Sequence, residues 1–416
     1  MSQEFNLTSV IGLQFGDEGK GQLVDYLTQQ HDIIVRYNGG ANAGHSVRVG
    51  EQKFVLHQTP IGCLSPGKVG VLGNGVTLHI PSFLDELAQL KAVGVSDYEL
   101  KISASAHVVM PYHFTEESLR HTLALQTGND PIGTTAKGIG PCYADKASRD
   151  TGIRIADLYN PEVLKRRLCF IVAIKNSTLS SLAESVGESF TPYTVEPLFD
   201  ECMKWAKALE SFITNTGNYL WEQEQEGLRI LFEGANASGL DLDFGSYPYV
   251  TSSNGSNLGM TAGSGFLPDS EIKRFGVVKT YMSRVGNGPF PTELFGDVAD
   301  DIRTKGREFG STTERPRRIG WLDLPSLLET VRLNRIHDLA LTGLFVLAQL
   351  EEFYVCTGYE GDEPILVRFE VTGDFENAAE QLPTWCLALI DLIESQLAPV
   401  AAVCVGPKRD QLVWRK

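Results

Sequence analysis

Short apolar runs recur along the chain, each closed by turn residues: Ser9 to Phe15, Asp32 to Tyr37, Val69 to Leu72, Ile230 to Phe232, Phe275 to Val278, Leu339 to Leu347, Phe353 to Val355 and Ala401 to Val405. Most lack the strict alternation of a half-exposed strand. Residues apolar at successive positions suit strands buried on both faces, as in a parallel sheet covered by helices. Segments with helical periodicity fall between them, at Gly21 to Thr28, Pro81 to Ala92, Leu324 to Val331 and Ala378 to Leu397. The two patterns together predict an α/β fold, a large and mostly parallel central sheet flanked by helices. Between about 160 and 225 the pattern changes to amphipathic stretches, such as Leu179 to Val186 and Pro197 to Ile213, with few strand signals. A helical insertion within one domain spanning 1–416 is the expectation, because no repeat, heptad array or low-complexity linker marks a boundary. The Leu339 to Leu347 run breaks at Thr342-Gly343 and is expected to resume as strand with Leu344 and Phe345.

Composition narrows the partners. The 416 residues are 42% hydrophobic and 21% charged, ordinary for a globular protein with a sizeable core. A formal net charge of −16 argues against nucleic acid as the main partner, since phosphate-backbone binding needs a basic face. Seven cysteines without a C-x-x-C pair argue against a disulfide framework and a zinc site, and fit a reducing cytoplasm. The opening residues lack a basic region followed by an apolar run, and no stretch of 18 apolar residues occurs. Neither export nor a membrane partner is expected.

The first run leads into "LQFGDEGKGQLVDYL", Leu13 to Leu27: a strand, the turn Gly16-Asp17-Glu18-Gly19-Lys20-Gly21, then a helical pattern. A glycine-rich turn entering a helix offers backbone N–H groups and the positive end of the dipole to a phosphate, and Lys20 adds a charge. The spacing is not that of the common P-loop, because no Ser or Thr follows the lysine. A tight turn with a solvated Asp-Glu-Lys cluster would give the same letters. The second run, however, exits into "RYNGGANAGHS", Arg36 to Ser46, which adds Asn38, Asn42 and His45. His45 alone reads as an idle loop histidine. Beside Asp17 and Lys20 it reads as an acid, with Asp17 a base or magnesium ligand. Two loops add hydroxyls and cations, Pro131 to Arg154 and Gly310 to Asp323, neither with a secondary-structure pattern. Arg315, Arg317 and Arg318 suit carboxylates or phosphates through paired hydrogen bonds.

These segments resemble the adenylosuccinate synthetase family over nearly the whole chain. "GDEGKG" at 16–21, "RYNGGANAGH" at 36–45, "GNGV" at 73–76, "GTTAKGIGP" at 133–141, "FEGA" at 232–235, "YPYVTSSN" at 247–254, "VGNGPFPTEL" at 285–294 and "TTERPRRIGWLD" at 312–323 stand in the family's order. The resemblance implies a ligase with a P-loop-like nucleotide site: a nucleoside triphosphate phosphorylates the 6-oxygen of inosine monophosphate (IMP), and aspartate displaces the phosphate. It implies Asp17 as base, His45 as acid and Asn236 at the 6-oxo edge. Mg2+ would lie between Asp17, the Gly44 carbonyl and the phosphates. Gly16, Glu18, Gly19, Lys20, Gly21, Gly44, Ser46 and Arg317 would serve the triphosphate, with Phe345 and Gly406 beside its base. Asn42, Thr135, Thr251 and Arg315 would hold the purine nucleotide, joined by Arg149 from the second subunit of a homodimer. Thr312, Thr313 and Arg315 would close over aspartate.

The departures from the family are as informative. Asn236 stands for a glutamine, Glu314 for a glycine in the aspartate loop, Phe244 for a histidine and Ala136-Lys137 for Gly-Arg. Where the family has Thr-Lys-x-Asp, whose aspartate accepts from guanine N1 and N2, this chain has Thr342-Gly343-Leu344-Phe345, and Cys404 replaces a serine on the opposite wall. The donor is therefore expected to be chosen weakly for GTP, or in favour of ATP. Glu314 leaves the amine donor open. Two other readings stand beside the ligase: a diverged relative acting on another 6-oxopurine nucleotide such as a guanine deoxynucleotide, and a silent nucleotide sensor.

Overall fold

The structure, a computed structural model, describes residues 5–49, 52–129, 133–310, 315–406 and 408–415. Its centre is a ten-stranded sheet. From one edge the order is Leu412–Trp414, Val400–Cys404, Asp338–Thr342, Ile272–Lys279, Leu7–Gly12, Ile230–Ala237, Ile33–Arg36, Lys68–Leu72, Tyr98–Ser103 and Ile213–Thr214. Every pairing is parallel except the antiparallel one between the first two. The expected α/β architecture is present, and the continuous apolar runs have the predicted cause: Leu7–Gly12, Ile33–Arg36 and Ile230–Ala237 are buried at every position, with neighbours on both sides and helices on both faces.

Because the strands run parallel, their carboxyl ends lie along one rim, where ligands of open α/β sheets bind. The first strand lies between Ile230–Ala237 and Ile272–Lys279, with Val10 in register with Glu233 and Phe275. The Gly16–Gly21 turn and the Tyr37–Gly44 loop therefore emerge on that rim two strands apart. A second sheet joins Tyr281–Arg284, Arg318–Asp323, Glu352–Glu360 and Glu363–Glu370, with Glu293–Leu294 also paired to Arg318–Asp323. It buttresses the rim from one side.

Three helices fill the 160–225 region, Pro161–Val186, Val195–Leu209 and Thr216–Gln225, and Ile213–Thr214 between them adds the sheet's last strand. Asn160 opens the first by accepting from Val163 N at 3.2 Å. Leu164, Leu168, Ile171, Leu179 and Ala183 form its buried stripe. Each large member contributes about 1.5–3 kcal/mol by burial. Lys175 lies in the same stripe, 2.8 Å from both Glu116 and Asp145. Truncating it would leave two buried carboxylates short of a partner, a loss of about 3–5 kcal/mol.

Four local expectations need correction. Leu344 and Phe345 do not resume the strand: Asp338–Thr342 ends, and Leu344–Leu347 is helical. Gly343, at φ +81°, turns the chain into that helix. The 131–154 stretch contains a helix, Ile139–Ser148, and the 310–323 stretch ends in the strand Arg318–Asp323. The helix expected from Ala378 begins only at Thr384, after Pro383.

Candidate active site

The phosphate-type turn is built by three left-handed residues, Gly16 (φ 90°), Asp17 (φ 59°) and Gly19 (φ 84°), after which the helix Lys20–Thr28 starts. Aspartate tolerates this region better than most side chains. The geometry sends Asp17 outward and Glu18 inward. The Glu18 carboxylate is fully buried and accepts from Gln14 N at 3.1 Å, Gly16 N at 2.8 Å and Lys20 Nζ at 2.8 Å. A Cβ at Gly12 would lie 2.2 Å from Glu18 Oε2, so the strand must end in glycine to admit it. The Glu18 side chain braces the turn and does not face the cavity, whereas Gly16, Asp17, Gly19, Lys20 and Gly21 line it.

That cavity, about 1080 Å³, runs from the turn toward the Ile230–Ala237 and Ile33–Arg36 strand ends and the helix Pro111–Gln126. It is roomy for one nucleotide and a small co-substrate. Asn42, Gly44, His45, Thr135, Asn236, Thr251 and Arg317 also line it. Asn42 accepts from Gly40 N at 3.2 Å and donates to Thr251 Oγ1 at 3.4 Å. The side-chain oxygen of Asn236 is buried without a partner. A buried acceptor left open at a cavity wall is what a donor on a ligand would complete.

His45 is buried, and Glu233 and Ala235 flank its ring. Nδ1 meets Glu233 Oε1, and Nε2 lies 3.1 Å from the Ala235 carbonyl. Both partners are acceptors, and together they fix the plane of the ring. Glu233 also accepts from Ile61 N at 3.0 Å and stands in register with Arg36 on the adjacent strand. Burial alone would raise its carboxyl, but His45, Arg36 and the Ile61 amide together hold it below the ordinary glutamate range. Arg36 is fully buried and donates to Gly40 O at 3.0 Å, fixing the start of the Asn-rich loop.

Asp17 pairs with Arg317, whose Nη2 lies 2.8 Å from Oδ2. On the cavity's far side Glu117 pins the 133–138 loop by accepting from Thr134 Oγ1 and, at 2.5 Å, from Gly138 N. Glu117, Glu233 and Arg36 were not read from the sequence as site residues. The only signal for Glu233 was its place in "FEGA".

Several expected residues lie elsewhere. Thr312 and Thr313 are outside the described residues, as are Glu314 and the side chain of Ser46. Arg315 and Arg149 are exposed and do not line the cavity, and Arg149 sits at φ 73° just after the helix Ile139–Ser148. Phe345 and Gly406 do not line the cavity either, and Phe345 packs against the core. Thr342 Oγ1 donates to Glu18 O at 2.6 Å, and Gln22 Nε2 donates to Gly406 O at 2.9 Å, so both segments are tied to the phosphate-type turn and its helix.

A helix N-terminus with a lysine, an outward carboxylate under an arginine and a carboxylate–histidine pair, gathered on the rim of a parallel sheet, define a phosphate-handling α/β enzyme. The sequence profile of the adenylosuccinate synthetase family matches residues 9–413. Adenylosuccinate synthetase of Heliobacterium modesticaldum is 40% identical over 97% of each chain, and that of Chlorobium phaeovibrioides is 42% identical over 98% of this chain and 97% of its own. The fully ligated adenylosuccinate synthetase of Plasmodium falciparum superposes with a TM-score of 0.90 at 36% identity, covering 99% of this chain and 100% of that one. The succinoaminodeoxyadenylate synthetase of cyanophage S-2L, bound to dGMP and dATP, shares the fold at a TM-score of 0.64 and 20% identity, over 98% of this chain and 94% of its own. The chain belongs to the adenylosuccinate synthetase family.

Proposed function

We propose that the chain is a C–N bond-forming ligase of purine nucleotide synthesis, joining aspartate to the 6-position of IMP after phosphorylation of the 6-oxygen by a nucleoside triphosphate. The observation that carries the site assignment is the meeting of Asp17, Lys20, His45 and Asn236 around one cavity. The purine 6-oxygen becomes nucleophilic when N1 loses its proton, and Asp17 is the outward carboxylate available to take it. His45, oriented by Glu233, would turn its Nε2 from the Ala235 carbonyl to donate toward the 6-oxygen and the phosphoryl group as negative charge develops there. Lys20 and the turn's N–H groups hold the transferring phosphate. In the second step the aspartate amine attacks C6, and inorganic phosphate leaves with the former 6-oxygen. Asn42, Thr135 and Thr251 hold the nucleotide. Arg149, exposed on its own subunit, would reach the site of the other subunit in a homodimer. Arg315, with Thr312 and Thr313, would bind aspartate.

The residues present fit Mg2+. Among the described residues no cluster of three or more His, Cys, Asp or Glu forms a ready-made metal cage. Mg2+ characteristically takes one or two protein oxygens and fills the rest with phosphates and water, and Asp17 with the Gly44 carbonyl would supply that minimum. Bound there, it would neutralise the charge of the triphosphate. Among the described residues no helix is long and apolar enough to cross a membrane. A cytoplasmic location fits this substrate set.

The donor base follows from the direction of transfer. In-line displacement sets attacking and leaving oxygens on opposite sides of the phosphorus. With the acceptor in the cavity, the leaving diphosphate and its base would lie over the Asp338–Thr342 and Val400–Cys404 strand ends, where Thr342 and Gly406 are tied to the turn and its helix. The segments there, Thr342-Gly343-Leu344-Phe345 and Cys404-Val405-Gly406, carry no carboxylate. The Thr342 hydroxyl and Gly406 carbonyl are already engaged. We infer that this wall does not select guanine, and that ATP serves as donor at least as well as GTP. Incubation with IMP, aspartate, Mg2+ and either triphosphate, with the succinyl nucleotide quantified chromatographically, tests the proposal. Product from dGMP but not from IMP would move the acceptor assignment, and no product from either would refute the ligase reading.

A further inference from the structure

Behind the cavity lies a buried ion network that the reaction as derived above does not use. Glu308 is 2% exposed. Its Oε1 accepts from Lys279 Nζ at 2.8 Å and from the Tyr281 hydroxyl at 2.6 Å, while Oε2 accepts from Arg317 Nη1 at 2.6 Å. The backbones join as well, Arg317 N donating to Glu308 O at 2.9 Å. Arg317 turns its remaining terminal nitrogen to Asp17. Lys279 is in turn fastened to the strand that carries the phosphate-type turn: its N donates to Gln14 Oε1 at 2.9 Å, and Gln14 Nε2 donates to Lys279 O at 2.9 Å. Asp17, Arg317, Glu308, Lys279 and Gln14 thus form a ring that closes through the two residues between Gln14 and Asp17, Phe15 and Gly16.

We infer that Glu308 is a positioning residue for the phosphoryl transfer, fixing the Arg317 guanidinium across Asp17 where the transferred group's charge develops. The inference rests on the function proposed above. A guanidinium on a flexible side chain stabilises a transition state only if its orientation is set beforehand, and a planar fork held by one carboxylate on one arm presents the other arm in a fixed plane. Burial works against an ionised Glu308, but Lys279 and Arg317 outweigh it and keep the carboxyl below its ordinary range. The anchor is therefore charged when the enzyme works. Tyr281 and Lys279 occupy its other oxygen, so the carboxylate cannot rotate away from Arg317 without breaking both contacts.

The test is a double-mutant cycle on the full-length protein with Glu308→Gln, Arg317→Ala and the double variant. Glu308→Gln should lower kcat by about 10- to 100-fold, because it loosens rather than removes the cation. KM for IMP should change by less than about threefold, and the double variant should lie within about threefold of Arg317→Ala. A Glu308→Gln kcat above half of the wild-type value would overturn the inference, as would effects that multiply in the double variant. A binding readout stands apart from turnover: the melting-temperature gain from magnesium tripolyphosphate should shrink in Glu308→Gln, and shrink further and alike in Arg317→Ala and the double variant. An undiminished gain in Glu308→Gln would overturn the inference even if the wild type made no succinyl nucleotide, an outcome that would separately refute the proposed function. Should Glu308→Gln fail to fold, Glu308→Asp, which keeps the charge but shortens the reach to Arg317, is read by the same criteria.

Discussion

Replacing Phe345 by aspartate should turn the donor site toward GTP. Guanine differs from adenine at the edge carrying N1–H and the 2-amino group, and a site that reads guanine offers these donors an acceptor. Phe345 is partly buried, in the short helix that begins directly after Gly343, and packs against the core beneath. A guanine set against it would lose water from two donors without replacement, at about 1–3 kcal/mol each. Two such groups give about 2–6 kcal/mol, or roughly 30-fold to 10⁴-fold in kcat/KM, before other contacts offset any of it. The wild-type protein should therefore use ATP at least as well as GTP. Phe345→Asp should raise the GTP:ATP ratio of kcat/KM by at least about tenfold, the share of one recovered hydrogen bond to a charged acceptor. Gly343 is best left unchanged. It sits at φ +81°, and an added Cβ would lie 3.0 Å from both Lys279 Cγ and Tyr281 Cε1, so a side chain there would disturb the Glu308 network. The assay is steady-state turnover with each donor at fixed IMP and aspartate. A wild-type preference for GTP above about 100-fold, the scale of an intact polar reading site, would refute the argument.

Asp17→Ala and His45→Ala should each lower kcat by about 10²–10⁴-fold with little change in melting temperature, and either variant retaining more than about half the activity would remove that residue from the mechanism. Mixing Arg149→Ala with Asp17→Ala after subunit exchange should restore about a quarter of wild-type sites, since half of random dimers are mixed and each has one intact site; no recovery would keep Arg149 out of the neighbouring site. Glu86, Asp145, Glu233 and Glu308 are all held below their ordinary range despite burial. The unfolded chain therefore takes up protons first, and the stability these groups contribute, present above the ordinary carboxylate range, is lost as pH falls through the lowered values. Melting temperature should decline on the acid side, and Glu86→Gln, which does not line the cavity, should flatten that decline.

The sequence was most legible where chemistry and backbone are local. Gly16-Asp17-Glu18-Gly19-Lys20-Gly21 announced a strand-to-helix turn because its glycines take the left-handed conformations the turn needs. Its letters could not say which of two adjacent carboxylates faces outward. That is decided by Asp17 at φ 59° and by the notch left by Gly12, a residue of the preceding strand. The Leu339 to Leu347 run failed for a related reason: an apolar stretch beside a glycine reads alike as buried strand or as a strand followed by a buried turn of helix. Glu233 and Glu308 were less legible still. Glu233 meets His45 across 188 positions, and Glu308 meets Lys279 across 29. Glu308 stands in its segment as an acid that reads as a solvated charge, and Glu233 had only its place in "FEGA" to mark it. Their roles exist only once parallel pairing has set Ile230–Ala237 beside Ile33–Arg36 and the second sheet has folded against the rim. Many of the residues that line the cavity thus come from short glycine- and asparagine-rich loops, which local conformation specifies. The groups that orient their side chains come from elsewhere, Glu233 on a strand 188 positions from His45 and Glu308 on a different segment from the Lys279 that holds it, so the wall holding Phe345 can vary while the Gly16–Gly21 turn stays the same.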